Sequence, residues 1–235
     1  MSKSININIM KQQRRFKDIG IEGRSAHWYD NNTRRHRLAE MNEYAKEAAK
    51  YIHDGCSVLE VAPGPGYLAI ELAKLGNYRI VGLDISKDFV EIARRNAKEA
   101  GVEVQFQQGN VADIPFPDNT FNFIICTAAF KNFKEPMKAL NQMYRVLTSE
   151  GTALIIDMNR IASNQQIEDY TSSLQARGMQ KLFMELIFKY LLRNGAYTKG
   201  EFINLISKTG FKEYDIKEKG IGFHIYLRKR TFNSL

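Results

Sequence analysis

Glu60, Gly64, Gly66 and Asp84 are the residues of this chain whose types and spacing can do recognisable chemistry. Glu60 sits inside an apolar run, Ser57 to Val61, that reads as a buried parallel strand. The run breaks at Ala62-Pro63-Gly64-Pro65-Gly66, and Tyr67 to Leu75 then reads as a helix closed by Gly76. Gly64 and Gly66 can take backbone angles that a side chain would forbid, and they let a ligand approach the main chain. The two prolines remove N–H donors and stiffen the loop, which suits packing against a nucleoside better than cradling a pyrophosphate. Asp84 ends a second apolar run beginning at Arg79, at about the 20-residue spacing that brings an acid to ribose hydroxyls. A carboxylate can accept from both hydroxyls at once. Strand, glycine turn, helix and acid-tipped strand form the first half of a nucleoside-binding βαβ unit.

Two ligands compete for such a unit. Gly64-x-Gly66-x-x-Ala69 satisfies the dinucleotide pattern and keeps a dehydrogenase in play. Glu60 opposes it, because a carboxylate beside the turn repels a pyrophosphate and favours a ligand with a cationic end. S-adenosyl-L-methionine has an amine, a sulfonium and no phosphate. Glu60-x-Ala62-x-Gly64-x-Gly66 with Asp84 resembles the class I S-adenosylmethionine-dependent methyltransferases. So do Gln108 to Phe121, which resembles the adenine-contacting stretch, and Phe123 to Phe130, which resembles the fourth strand and its active-site end. Tyr144 to Leu147 and Gly151 to Asp157 resemble the following helix and fifth strand. The resemblance covers roughly residues 55 to 160.

It implies an α/β fold: a Rossmann-like, doubly wound, seven-stranded, mostly parallel sheet with helices on both faces and a C-terminal antiparallel hairpin. It also implies S-adenosylmethionine as cofactor, with S-adenosylhomocysteine as product. The cofactor would be held by Glu60, Ala62, Pro63, Gly64, Gly66, Asp84, Ile85, Asn110, Val111 and Thr127. Asn110 could bond adenine through its donor and its acceptor, or simply form the turn after a strand. Two positions depart from the family pattern. Ala62-Pro63 replaces the usual first glycine and its neighbour, and Lys131-Asn132 stands where many relatives carry paired histidines. Chemistry ascribed to those histidines does not transfer.

Composition sets the outer bounds. The chain has 235 residues, 44% of them hydrophobic, enough for one α/β domain with additions and a sizeable core. No apolar run approaches the roughly 20 residues of a membrane span. Met1 to Gly20 is polar and basic without an apolar h-region, so the expected location is cytoplasmic. Cys56 and Cys126 lie in or beside expected strands and read as core thiols; with the four scattered histidines they make no metal site. The net charge of +8 is spread over short clusters such as Arg14-Arg15 and Arg34-Arg35, so solvated faces are favoured over a nucleic-acid groove.

The elements that must position these residues follow along the chain. Residues 1–32 read as an N-terminal arm or lid, with Trp28 and Tyr29 either pinning it to the body or facing the ligand. Residues 33–235 read as the methyltransferase domain. Its first helix is expected from Thr33 to Ile52, on an apolar stripe of Leu38, Met41, Ala45, Ala48 and Ile52. A helix from Lys87 to Ala100 is capped by Ser86 and closed by Gly101. A third strand is expected at Val102 to Phe106 and a helix at Glu135 to Leu147. A helical insert at about 160–196 reads as a substrate cap or an extra packed layer. Thr198-Lys199-Gly200-Glu201 is a capping box, and Phe211 to Lys217 and Gly222 to Arg228 form the closing hairpin.

The implied reaction is a direct in-line methyl transfer, in which the protein positions two reactants and excludes water. A small-molecule acceptor is expected; an RNA or protein acceptor, or a non-catalytic S-adenosylmethionine-binding protein, are the alternatives. Trp28, Tyr29, Phe130, Lys131 and Tyr197 are the candidate substrate contacts, with Lys131 alternatively an exposed helix lead-in. A weak nucleophile would need a base. His27, Tyr29 and His224 are the candidates, and a structural role is expected for each.

Overall fold

Strand β1 (Ser57–Val61) is apolar after Ser57 except for Glu60, as a strand covered on both faces must be. It lies inside a seven-stranded sheet of order β3-β2-β1-β4-β5-β7-β6. The partners are β2 (Arg79–Asp84), β3 (Gln105–Gln108), β4 (Phe121–Thr127), β5 (Leu147–Met158), β6 (Glu213–Lys219) and β7 (Gly222–Arg228). β1 to β5 run parallel, and β7 pairs antiparallel with both β5 and β6. The chain reverses its direction of growth between β1 and β4, the crevice where open α/β sheets bind ligands. The computed structural model describes residues 17–174 and 178–230. The basic cluster Lys11 to Arg15 therefore falls outside the described residues.

Helices cover both faces. On one, α2 (Leu38–Ala49), α3 (Tyr67–Ala73) and α4 (Lys87–Ala100) pack Met41, Leu68 and Ala93 against Val58, Ile125 and Tyr226. On the other, α5 (Pro136–Val146) and α8 (Lys199–Ile206) pack Leu140, Met143, Phe202 and Ile206 against Leu59, Ile124 and Ile155. Between β5 and α8 comes an insert. It contains α6 (Asn164–Ser173) and α7 (Gly178–Leu186), the latter running on through a π-helical stretch, Ile187–Leu192, to Gly195.

Local signals set most of these boundaries. Ser86 Oγ accepts from Phe89 N, and Gly101 closes α4 in the left-handed conformation. Reciprocal capping boxes start α6 (Ser163 with Gln166) and α8 (Thr198 with Glu201). Five expectations need correction, one of them the first hairpin strand, which runs Glu213–Lys219 instead of Phe211 to Lys217. The first helix does not begin at Thr33: α1 spans Arg24–His36, and the chain breaks at Arg37 before α2. α3 ends at Ala73 with Lys74 as its cap, ahead of Gly76. β3 is shifted to Gln105–Gln108 because its register is dictated by β2. β5 extends back to Leu147, and its register against β4 shifts between the Phe121–Leu147 and Phe123–Thr152 pairs.

Of the two glycines in the β1–α3 loop, Gly66 is the one that packing makes indispensable. Its φ is +80°, and a Cβ there would lie 2.7 Å from the Phe106 ring and 2.9 Å from Ala93 Cβ. Gly66→Ala therefore combines left-handed strain with overpacking, and is expected to cost about 2–4 kcal/mol. The check is a lowered denaturation midpoint at unchanged m-value.

Candidate active site

The carboxyl ends of β1, β2 and β4 open on a cavity of about 750 Å3. Asp84, at the tip of β2, is buried, and each of its oxygens accepts one backbone N–H: Oδ2 from Gly64 at 2.9 Å, Oδ1 from Ser86 at 2.9 Å. Each oxygen keeps a lone pair for a further donor. Burial raises the Asp84 carboxyl above its ordinary value, although both N–H groups pull it back. Glu60, 2% exposed, accepts from Ala69 N in the first turn of α3 at 2.9 Å. Burial pushes its carboxyl up to about 8; Ala69 N–H opposes that shift and the negative charge of Asp84 adds to it.

The loop between them is held in an unusual shape. Ala62 has φ 55°, a left-handed conformation that glycine adopts freely and alanine at a strain of about 1–2 kcal/mol. The family's first glycine is replaced here, yet the backbone keeps a glycine-like turn. α1 lies over the loop. Its buried Asp30 accepts from Tyr67 Oη (2.7 Å) and Asn96 Nδ2 (3.0 Å), and Asn96 also donates to Pro65 O (3.0 Å). Tyr29 packs edge-on against Phe89 at 5.5 Å.

Away from the two carboxylates the cavity becomes largely apolar, walled by Met184, Ile187, Phe188 and Leu192 of the insert and by Ile156 and Met158 of β5. Its roof is a network on the α1–α2 junction. Glu40 accepts from Arg37 Nε (2.7 Å), Tyr44 Oη (2.8 Å) and Tyr170 Oη of α6 (3.0 Å), and Arg37 Nη1 donates to Tyr29 Oη (3.3 Å). Burial raises both tyrosine hydroxyls above their ordinary value. On β7, His224 Nδ1 lies 2.6 Å from Glu47 Oε1 of α2.

Residues 52–210 match the family model described as "Methyltransferase domain", more than half of the chain. The chain belongs to this methyltransferase-domain family. It is 38% identical over 101 residues to the uncharacterized methyltransferase YcgJ of Bacillus subtilis, covering 43% of this chain and 40% of that one. It is 32% identical over 120 residues to the demethylmenaquinone methyltransferase of Deinococcus radiodurans, covering 51% and 50%. These matches span half or less of the curated relatives' own length. Among solved structures, a candidate S-adenosyl-L-methionine-dependent methyltransferase of Methanococcus maripaludis superposes with TM-score 0.73. It is 23% identical and covers 92% of this chain and 97% of that one. The plantazolicin methyltransferase BpumL, in complex with S-adenosylhomocysteine and a desmethyl substrate analog, gives TM-score 0.62 at 17% identity, covering 83% of each chain. Both likenesses are of fold.

In this methyltransferase domain, Glu60, Ala62, Pro63, Gly64, Asp84, Ile85, Val111 and Thr127 all line the cavity, as do Trp28, Tyr29 and Lys131. Gly66 and Asn110 do not. Gly66 faces the Phe106 ring, and Asn110 Oδ1 accepts from Ala112 N at 2.8 Å to cap a 3-10 turn.

Two substrate-contact expectations are overturned. Phe130 is fully buried away from the cavity and packs against Phe133, Tyr197 and Phe202 with ring centroids 5.2–5.7 Å apart. Tyr197 belongs to the same aromatic cluster and does not reach the cavity. Lys131 is not an exposed helix lead-in: it is 5% exposed and its Nζ is 2.9 Å from Asp157 Oδ1.

The Arg37–Glu40–Tyr44–Glu47 line escaped the sequence reading. Its 3-4-3 spacing is a helical stripe beside the apolar stripe Met41-Ala45-Ala48, and a polar stripe adjoining a core face is the signal that finds it. His27, by contrast, lies on the exposed side of α1.

Proposed function

We propose that this protein binds S-adenosyl-L-methionine along the Glu60–Asp84 side of the cavity and transfers its methyl group to a small, largely apolar acceptor under the helical insert. The observation that carries this reading is the pair of buried carboxylates facing one cavity that continues between apolar walls. Asp84 has lone pairs left for ribose hydroxyls, and Glu60 offers negative charge to a cationic ligand. In its ionised form the same group repels a pyrophosphate, and so disfavours a dinucleotide. When bound, the cofactor supplies an already activated methyl group. The protein's own task is then to orient two reactants and keep water out, for which α1 and the insert act as lid and cap. A cavity lined by α1 on one side and the insert on the other favours a small acceptor over RNA or a protein. The demethylmenaquinone methyltransferases among the relatives support an aromatic acceptor of that kind.

Calorimetric titration with S-adenosylmethionine, S-adenosylhomocysteine and NADH tests the cofactor. Micromolar binding of the first two and none of NADH is expected; binding of NADH alone would sink the proposal. Release of S-adenosylhomocysteine on adding demethylmenaquinone, in its reduced form, tests the acceptor class.

Glu60 makes the binding pH-dependent. With its carboxyl at about 8, Glu60 is mostly protonated at neutral pH. A cationic ligand favours the ionised form, so binding releases a proton, and affinity falls by up to about tenfold per pH unit below 8. For stability the sign is opposite: a raised carboxyl stabilises the fold below its unfolded value of 4.5, and that contribution is lost as pH rises through about 8. Titrations in buffers of different ionisation enthalpy should detect the proton in the wild type and none in Glu60→Gln. An equal proton count in both would refute the assignment.

A further inference from the structure

We infer that His224, oriented by Glu47, accepts the proton that the methyl acceptor sheds, and that the acceptor presents a hydroxyl or comparably protonated nucleophile at this end of the cavity. The inference rests on the methyl-transfer reading above.

His224 is the histidine that lines the cavity among the described residues. Its ring is 4% exposed, and its Nδ1 lies 2.6 Å from Glu47 Oε1. Glu47 also accepts from Tyr226 Oη, with Lys219 Nζ at 3.5 Å. Burial acts to raise the Glu47 carboxyl, but the hydrogen bonds from Tyr226 and His224 outweigh it and hold the group below its ordinary value. An ionised carboxylate only accepts, so Nδ1 carries a hydrogen, and in the neutral ring the lone pair is then on Nε2. Nε2 has no hydrogen-bond partner among the described residues. The Tyr44 ring stands edge-on to the imidazole at 5.8 Å and fixes its plane.

Register places this base on the acceptor side. Thr127 of β4 pairs with Ile156 of β5, and Ile156 pairs with His224 of β7. All three project on one face, with His224 about 10 Å across the sheet from Thr127 at two strand spacings. The cofactor carboxylates lie on the other side of β4, and the cap residues Phe188 and Leu192 share the cavity with His224. Other groups there are already committed. Glu40 serves Arg37, Tyr44 and Tyr170, and Asp157 holds Lys131. The Tyr44, Tyr170 and Tyr226 hydroxyls are pushed upward by burial and make poor acceptors of a proton.

The step balances without another reactant beyond the sulfonium cofactor. The acceptor's lone pair bonds the methyl carbon, the electron pair of the carbon–sulfur bond stays on sulfur, and the acceptor's proton passes to Nε2. Glu47 then faces an imidazolium. Glu47 and Tyr44 of α2, Tyr226 of β7, and Lys217 and Lys219 of β6 are the titratable groups packed around the ring.

The test uses the full chain saturated with S-adenosylhomocysteine, whose binding is established first by calorimetry. 4-Nitrophenol is the probe, because its absorbance reports its own ionisation. Histidine-ring nitrogen NMR is expected to find Nδ1 protonated and Nε2 bare, and to show Nε2 gaining a proton as the probe binds and ionises. His224→Gln should abolish the extra phenolate, and Glu47→Gln should reduce it at least tenfold while the fold is retained. An Nε2 resonance unmoved by 4-nitrophenol, or an equal phenolate fraction in His224→Gln, overturns the inference and leaves the cofactor reading standing. Absence of S-adenosylhomocysteine binding overturns both.

Discussion

Asp84→Ala is expected to weaken S-adenosylmethionine binding by about 100-fold or more, equivalent to about 2.7 kcal/mol. It should also destabilise the unliganded protein by about 2–5 kcal/mol. Both effects follow from one carboxylate serving two purposes. Its two oxygens accept the N–H groups of Gly64 and Ser86, which tie the glycine loop to the start of α4. Removing it leaves two buried donors without a partner, each a loss of about 1–3 kcal/mol. The free lone pairs that would meet ribose hydroxyls go at the same time. Asp84→Asn is no conservative substitute here, because an amide has one acceptor oxygen and its NH2 would face one of the two N–H donors. It should approach the alanine variant in stability loss. Denaturant unfolding and calorimetry measure the two effects separately. Affinity within threefold of wild type in Asp84→Ala would remove Asp84 from the site.

What the sequence disclosed, and what it withheld, divides along a physical line. The β1–loop–α3–β2 unit was legible because each part obeys a local rule. Apolar runs make buried strands, Gly66 supplies a left-handed turn, and Ser86 caps a helix through its own hydroxyl. The Glu60–Asp84 end of the cavity inherits that legibility, since both residues sit at strand ends whose direction was already fixed. The end of the cavity under the insert depends on contacts between distant segments. Glu40 meets Tyr170 across 130 residues, and Glu47 meets His224 across 177. No spacing rule reaches that far. Phe130 was misjudged for a related reason. A residue just after an active-site strand can point to either side of the sheet, and the aromatic cluster with Phe133, Phe202 and Tyr197 draws it into the core. α1 went unrecognised, its last turn being joined to α2, because its apolar periodicity is poor: its buried contacts include Asp30 and Thr33, which hydrophobic patterning does not count.

The second large effect is expected from the ion pair that replaces a ligand role for Lys131. Lys131 and Asp157 are 5% and 4% exposed; Lys131 lies in the 3-10 turn after β4, Asp157 near the end of β5. Asp157 Oδ1 accepts from Lys131 Nζ at 2.9 Å and from Met158 N at 2.7 Å, while Oδ2 accepts from Lys131 N at 2.8 Å. Lys131 Nζ also donates to Ala128 O, and Ala128 itself is held at φ 56°. The pair thus fixes the turn that carries the chain from Thr127 around the cavity edge. Removing either partner strands a buried charge, and losses of about 3–5 kcal/mol are typical of that situation. Asp157→Ala should be the worse of the two, because it releases two backbone N–H groups as well as the ammonium. Lys131→Met leaves Asp157 with both backbone donors and a long apolar chain in place of the lysine stem. The double variant, Lys131→Met with Asp157→Ala, should lose less than the sum of the single losses, because no unpaired charge remains. Urea unfolding of all four proteins closes the cycle. Additive single losses would show that the two charges do not depend on each other, and would return Lys131 to the list of groups free to meet an anionic acceptor.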